Sequence, residues 1–284
     1  MHSAPCIALA AAFLYFAGLA AIARPAQAVG FSDVTTPSEP PAQVFGGHAK
    51  GCVAGSEALP LEGDGWQVMR PSRNRFWGHP TLVAFIENFA GSARAAGWPG
   101  LLIGDLAQPR GGPMSSGHRS HQTGLDVDIW FLPAPPQALS RSDREGLSAV
   151  SMVAEGGTTL SPAWGDGYAW LLQTAAQYPE VDRIFVNPAI KQALCDTTTG
   201  DRTWLAKLRP WWGHDAHFHV GLHCPAGDGE CVERPAIPPG DGCDASLAWW
   251  FSAEAREQLR TATPTPRPTL DDLPTACRGV LFGG

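Results

Sequence analysis

His118, His121, Asp126 and Asp128 fall within eleven residues, in the stretch Ser115-Ser-Gly-His-Arg-Ser-His-Gln-Thr-Gly-Leu-Asp-Val-Asp-Ile-Trp130. All four side chains can bind a metal. A second cluster follows ninety residues on, Trp211-Trp-Gly-His214-Asp-Ala-His217-Phe-His219-Val220. Zinc that is to activate water needs three protein ligands and one open position. One aspartate and two histidines meet that need, and the residues that suit it are His121, Asp128 and His219. His118 is either a further ligand or a group that hydrogen-bonds to one. His223, outside both clusters, reads as structural. The chemistry such a site allows is the activation of water; His214 and His217 lie in the second cluster with His219.

These side chains need elements to hold them. From Leu125 to Trp130 the pattern alternates, so Asp126, Asp128 and Trp130 share one face of a strand and Val127 and Ile129 the other. Such a strand presses an apolar face on a core and offers carboxylates to a cleft. A turn over Gln122–Gly124 would fold the loop back and bring His121 to Asp128. His217 and His219, two apart, share a face of a second strand.

The flanking chain supplies the scaffold. Residues 29–65, rich in Gly and Pro, read as an irregular N-terminal wrap in which His48 is a surface histidine. Arg70, Arg73 and Arg75 are closely spaced, forming either a solvated basic loop or a binding site for substrate carboxylates by paired donors. Apolar spacing predicts helices over Thr81–Ala96, Ala169–Tyr178 and Leu247–Leu259, with a shorter one over Ala189–Leu194. It predicts strands over Leu101–Leu106 and Arg183–Asn187. Residues 133–165 are mostly loop. The Thr-Pro-Thr-Pro-Arg-Pro tail can be neither helix nor central strand, so it runs over the surface towards Cys277. Trp211 and Trp212 either shape the cleft for a substrate, Trp212 foremost, or belong to the core.

Composition bounds the setting. The 284 residues are 44% hydrophobic, enough for a sizeable core. Residues 7–23 carry no charge and are followed by Ala26-Gln-Ala28, a cleavage pattern that suits removal of residues 1–28 as a signal peptide. The apolar run is slightly short for a spanning helix, so the mature chain is expected not to insert stably in a membrane. Residues 29–284 then form a single domain with irregular terminal wraps. Of seven cysteines, Cys6 lies in the leader, and the remaining six suggest three disulfides, with fifteen pairings open. Cys224 and Cys231 are spaced for a small closed loop. The net charge is −7, and loss of Arg24 with the leader makes it more acidic, which argues against nucleic acid as a partner.

At the two histidine clusters the sequence resembles the penicillin-insensitive murein endopeptidases. These are similar to a wider group of zinc peptidases that includes lysostaphin-type enzymes, D-Ala-D-Ala peptidases and the hedgehog signalling domain. The matching residues run from Ser116 to Asp128 and from Trp212 to His219. Met69-Arg-Pro-Ser-Arg-Asn-Arg75, Trp77-Gly-His-Pro80 and the six cysteines add to the match. The resemblance implies His121, Asp128 and His219 as ligands of Zn2+, with His217 and His214 flanking the water and one of them acting as general base. In some relatives a glutamate is the base; none lies near either cluster here. It implies an α+β fold in which a small antiparallel sheet carries the zinc ligands, flanked by helices and long disulfide-tied loops. It also implies the pairings Cys52–Cys277, Cys195–Cys243 and Cys224–Cys231.

The activity implied is hydrolysis of D-alanyl–meso-diaminopimelyl cross-links in peptidoglycan, in the periplasm. It is insensitive to penicillin, because there is no serine for a β-lactam to acylate. Some members carry further metal ligands in the loop after the first cluster; Glu155 and Thr158 are poor equivalents, and a second metal is not expected. A D,D-carboxypeptidase that trims uncross-linked stems would use the same ligands. A zinc-stabilised wall-binding module without turnover would have no use for His214 and His217.

Overall fold

The computed structural model describes Met1 and residues 29–283. The expected signal peptide, residues 1–28, lies outside the described residues apart from Met1. The fold is α+β. Eleven strands occur among the described residues: β1 (Gln43–Gly47), β2 (Lys50–Ala54), β3 (Glu57–Ala58), β4 (Glu62–Gly63), β5 (Trp66–Val68), β6 (Trp77–Gly78), β7 (Leu101–Ile103), β8 (Asp126–Trp130), β9 (Val181–Val186), β10 (Leu208–Pro210) and β11 (His217–Leu222). The helices are α1 (Pro80–Ala95), α2 (Arg141–Gly146), α3 (Asp166–Gln177), α4 (Pro188–Thr197), α5 (Ala245–Trp249), α6 (Ala253–Thr261) and α7 (Ala276–Phe282).

Seven strands form one sheet in the order β10-β9-β11-β8-β7-β5-β4. Its centre, β9-β11-β8-β7, is antiparallel, while the pairs β10/β9 and β5/β7 are parallel. The antiparallel part expected to carry the ligands is therefore the middle of a larger mixed sheet. Its two faces differ by the period of the strand. Val127, Ile129, Phe218 and Val220 are buried in one cluster with Leu82, Phe85, Ile86 and Phe89 of α1 and Leu171 and Leu172 of α3. The alternate residues Asp126, Asp128, His217 and His219 face away from that core. One helical layer thus fixes the sheet, and the sheet's other face is left for chemistry.

Local signals account for the helix starts. His79 accepts a hydrogen bond from the Thr81 amide at its Nδ1, 3.2 Å, just before Pro80 opens α1. Asn187 caps α4 in the same way, ahead of Pro188. The single helix expected over Leu247–Leu259 is two helices, α5 and α6. Ser252 divides them because its Oγ accepts from the Ala255 amide and starts a new helix.

The N-terminal wrap is more regular than its Gly and Pro content suggests. β1 and β2 form an antiparallel hairpin with three consecutive buried residues in each strand. Because both faces are covered, no alternation marks it in sequence. His48 sits in its turn and is 5% exposed, so the reading of a surface histidine is corrected: the turn is folded onto the sheet. Disulfides join Cys52–Cys277, Cys195–Cys243 and Cys224–Cys231. The first closes a separation of 225 residues, and with Phe31, Phe45, Val280 and Leu281 it forms a separate small core that ties the two ends together. A native bridge of this kind contributes roughly 2–5 kcal/mol.

Candidate metal centre

β8 and β11 are the frame of the site. In their antiparallel register His219 stands opposite Asp128, His217 opposite Trp130, and Gly221 opposite Asp126. His219 therefore lies between two carboxylates on one face. Its Nδ1 is 3.1 Å from Asp128 Oδ1, and its Nε2 donates to Asp126 Oδ1 at 2.8 Å. The loop before β8 brings His121 to the same place. His121 adopts φ 64° and Gly124 φ 68°, both in the left-handed region. At Gly124 a Cβ would come within 2.9 Å of the His79 amide nitrogen, so the turn needs glycine. Gln122 pins the loop: its Oε1 accepts from the Gly51 amide and its Nε2 donates to the Ala49 and Arg119 carbonyls.

With the loop so folded, His121 Nε2 is 3.2 Å from His219 Nδ1 and 3.4 Å from Asp128 Oδ1. His118 Nε2 lies 3.4 Å from Asp128 Oδ2 and 3.1 Å from Asp105 Oδ2. Two overlapping sets of three donors thus share His121 and Asp128. One is completed by His118, all three donors lying within 4.8 Å of one another; the other is completed by His219. The second is the tighter set. His118 is drawn away by Asp105, a buried carboxylate that also receives Arg73 and Arg75. His219 has its outer nitrogen tied to the Asp126 carboxylate and its inner nitrogen turned towards His121 and Asp128, which is the usual setting of a metal-binding imidazole.

The donors suit a dication. Asp128 Oδ1 is buried and accepts no hydrogen bond, although three imidazole nitrogens lie within 3.7 Å of it, those of His121, His217 and His219. A buried carboxylate oxygen left unpartnered is costly unless a cation completes it. Burial disfavours ionised Asp128, but His217, His121 and His118 outweigh it and hold the carboxyl well below the usual range. Burial also disfavours charged His219, yet its hydrogen bond to Asp126 and the charges of Asp126 and Asp128 beside it hold its pKa up to about 9. The carboxylates call for positive charge at this point. His121, by contrast, is fully buried beside His118 and is pushed down to about 4, which leaves it neutral. Two imidazoles and one carboxylate around a buried oxygen fit zinc better than calcium or magnesium, which take oxygen ligands.

His217 and His214 stand at the rim. His217 Nε2 is 3.7 Å from Asp128 Oδ1, and its ring is 29% exposed. His214 has φ 50°, a left-handed conformation uncommon outside glycine, and its ring is 5.1 Å from that of His217. Burial, with His219 and His217 nearby, pushes its pKa down to about 3, so it is uncharged at neutral pH.

Two grooves meet at the centre. One, about 310 Å³, is lined by Arg73, Asp105, His118, Trp130 and His217. The other, about 460 Å³, is lined by Phe185, Trp211, His214 and His219. The three arginines differ in what they have left to give. Arg70 spends its donors on the carbonyls of Arg144, Glu145 and Leu147. Arg75 is committed to Asp105 and Ser116. Arg73 touches Asp105 but has a side chain 48% exposed on the groove. Trp211, at 54% exposure, lines the second groove; Trp212 packs on Trp250 with ring centroids 5.1 Å apart. His223 is outside the site, 3.4 Å from Glu233.

Sequence reasoning gave no role to Asp105, Arg234 or His48. Only Asp126 carried a signal, its place two residues before Asp128 on the same strand face.

The profile of a family described as penicillin-insensitive murein endopeptidase matches residues 44–282. Curated proteins bearing that name from Salmonella typhi, Salmonella newport and Salmonella agona are each 43% identical over 276 residues, covering 97% of this chain and 96% of their own length.

Proposed function

The chain belongs to the penicillin-insensitive murein endopeptidase family, and we propose that it is a zinc-dependent endopeptidase that hydrolyses D-alanyl–meso-diaminopimelyl cross-links in peptidoglycan. The observation that carries the reading is the buried, unpartnered Oδ1 of Asp128 with imidazole nitrogens of His121 and His219 at 3.4 and 3.1 Å. We take these three residues as the ligands and His118 as a group shared between Asp105 and Asp128. When bound, zinc supplies Lewis acidity towards the scissile carbonyl and the attacking water.

The protein's own groups do the rest. His217, at the open side of Asp128, accepts a proton from the attacking water as its oxygen adds to the D-alanyl carbonyl carbon. The same imidazolium returns the proton to the diaminopimelyl nitrogen as the C–N bond breaks, giving a carboxylate and a free amine. His214, held uncharged beside it, orients the water and keeps the His217 proton mobile. Arg73 meets a stem carboxylate in the groove. No acyl-enzyme is formed, which accounts for indifference to penicillin.

The reading places the mature protein in the periplasm, cut from its leader near Ala28, with the murein as its partner. No described helix is long and apolar enough to cross a membrane. The test is digestion of purified cross-linked muropeptide dimers beside monomeric pentapeptide stems, with product masses recorded. Dimer cleavage to monomers, with stems untouched, is expected; loss of terminal D-alanine from stems with intact dimers would make it a carboxypeptidase.

A further inference from the structure

Asp126 and Asp128 point from the same face of β8 towards the same histidine, yet they cannot play the same part. Asp128 keeps an unpartnered oxygen. Asp126, which has no exposed surface, is fully subscribed. Its Oδ1 accepts from His219 Nε2 at 2.8 Å and from Arg234 Nη2 at 2.5 Å, and its Oδ2 accepts from His48 Nδ1 at 2.6 Å. Arg234 offsets the charge of Asp126, so the negative charge left for a cation resides on Asp128.

An ionised carboxylate only accepts hydrogen bonds, so the shared proton sits on His219 Nε2 and the lone pair on Nδ1. We propose that Asp126 is a positioning residue that fixes the tautomer and ring orientation of His219 for the metal, and that His48 and Arg234 are there to hold Asp126. His48 has no other polar task, since its Nε2 is buried without a partner. Arg234 also lies 3.6 Å from Asp182 and 6.0 Å over the Phe185 ring, which fixes the guanidinium in place. The three donors come from the β1–β2 turn, from β11 and from the segment after the Cys224–Cys231 loop. Segments that precede and follow the two histidine clusters thereby meet at one carboxylate. His121 has no such support, because its Nδ1 is buried and unpartnered. His219 is therefore the ligand whose orientation is built in.

This inference rests on His219 being a ligand, and the experiment separates the two claims. Zinc affinity is measured by competition with a chromophoric chelator for the wild-type protein, Asp126→Asn and His219→Ala, each checked for a cooperative melt without metal. Asp126→Asn is expected to weaken zinc about 10- to 100-fold, the usual effect of removing such a partner, and His219→Ala much further. If His219→Ala loses zinc while Asp126→Asn binds like wild type, the positioning role is overturned and the ligand set stands. If His219→Ala binds like wild type, the ligand set itself is wrong and the positioning role falls with it. Should Asp126→Asn fail to fold, long-range nitrogen–proton NMR on zinc-loaded wild type decides directly. A proton on His219 Nε2 is the expected result, and a proton on Nδ1 overturns the proposal.

Discussion

His219 and Asp128 face each other across paired strands, with Nδ1 3.1 Å from Oδ1. The site therefore depends on register. A slip of β11 by one residue against β8 would turn His219 into the core and bring Phe218 to the cleft. The apolar residues that alternate with the ligands are what prevent it, since all of Val127, Ile129, Phe218 and Val220 are fully buried.

The first prediction follows from that pair. His121→Ala, Asp128→Ala and His219→Ala should each fold, because the core face is untouched, but lose tight zinc together with activity. His223→Ala, exposed and far from the centre, should keep both. Metal analysis of the folded proteins checks this; full occupancy in all three ligand variants would contradict the assignment.

Metal binding and proton transfer should separate at the rim. His217→Ala is expected to retain zinc and to lose roughly 10²–10⁴-fold in turnover, the range for a lost general base. His214→Ala should lose less. Zinc content and cleavage rate measured on the same preparations decide it: loss of zinc in step with rate would make His217 a ligand.

Much of this site was legible in the sequence because strand periodicity is local. Val127 and Ile129 mark the core face of β8, so Asp126 and Asp128 must face the other way. The partners of Asp126 were not legible. His48 lies in a hairpin covered on both faces, and Arg234 in a Pro-rich segment with no period to read. Asp105 was hidden by an expected strand running to Leu106, whereas β7 ends at Ile103. Such residues are brought in by tertiary contacts between distant segments, and no short window of sequence contains them.

The tail provides a third prediction. Arg267 donates to the carbonyls of Met114, Gly117 and His118, so the Pro-rich segment straps the loop that carries the first histidines. Arg267→Gln should leave the melting temperature nearly unchanged and raise amide exchange over residues 115–119. Exchange mass spectrometry checks it, and unaltered protection there would show that the strap does no holding.

Lys191 gives a pH-dependent prediction away from the site. Its buried Nζ donates to the carbonyls of Leu205 and Asp241, 2.6 Å each, and burial lowers its pKa from 10.5 to about 8. Between those values the unfolded chain holds the proton that the folded chain has released, so this residue's contribution to stability rises with pH. Below about pH 8 the cost of burying the ammonium is present in full. Relative to Lys191→Met, the wild-type protein should gain roughly 3 kcal/mol from pH 8 to 10.5. Denaturant titrations across that range test it, and parallel pH profiles for the two proteins would contradict it.

The central claim, zinc-dependent cleavage of murein cross-links, is tested most directly on intact sacculi. Sacculi are incubated with the purified protein as isolated, after chelation, and after chelation followed by added zinc, and the soluble and residual muropeptides are weighed by mass spectrometry. The account predicts that cross-linked dimers fall and monomers with a free diaminopimelyl amine rise. Chelation should abolish the change and zinc restore it. Unchanged cross-linking in the untreated sample, or equal cleavage after complete removal of metal, would contradict it.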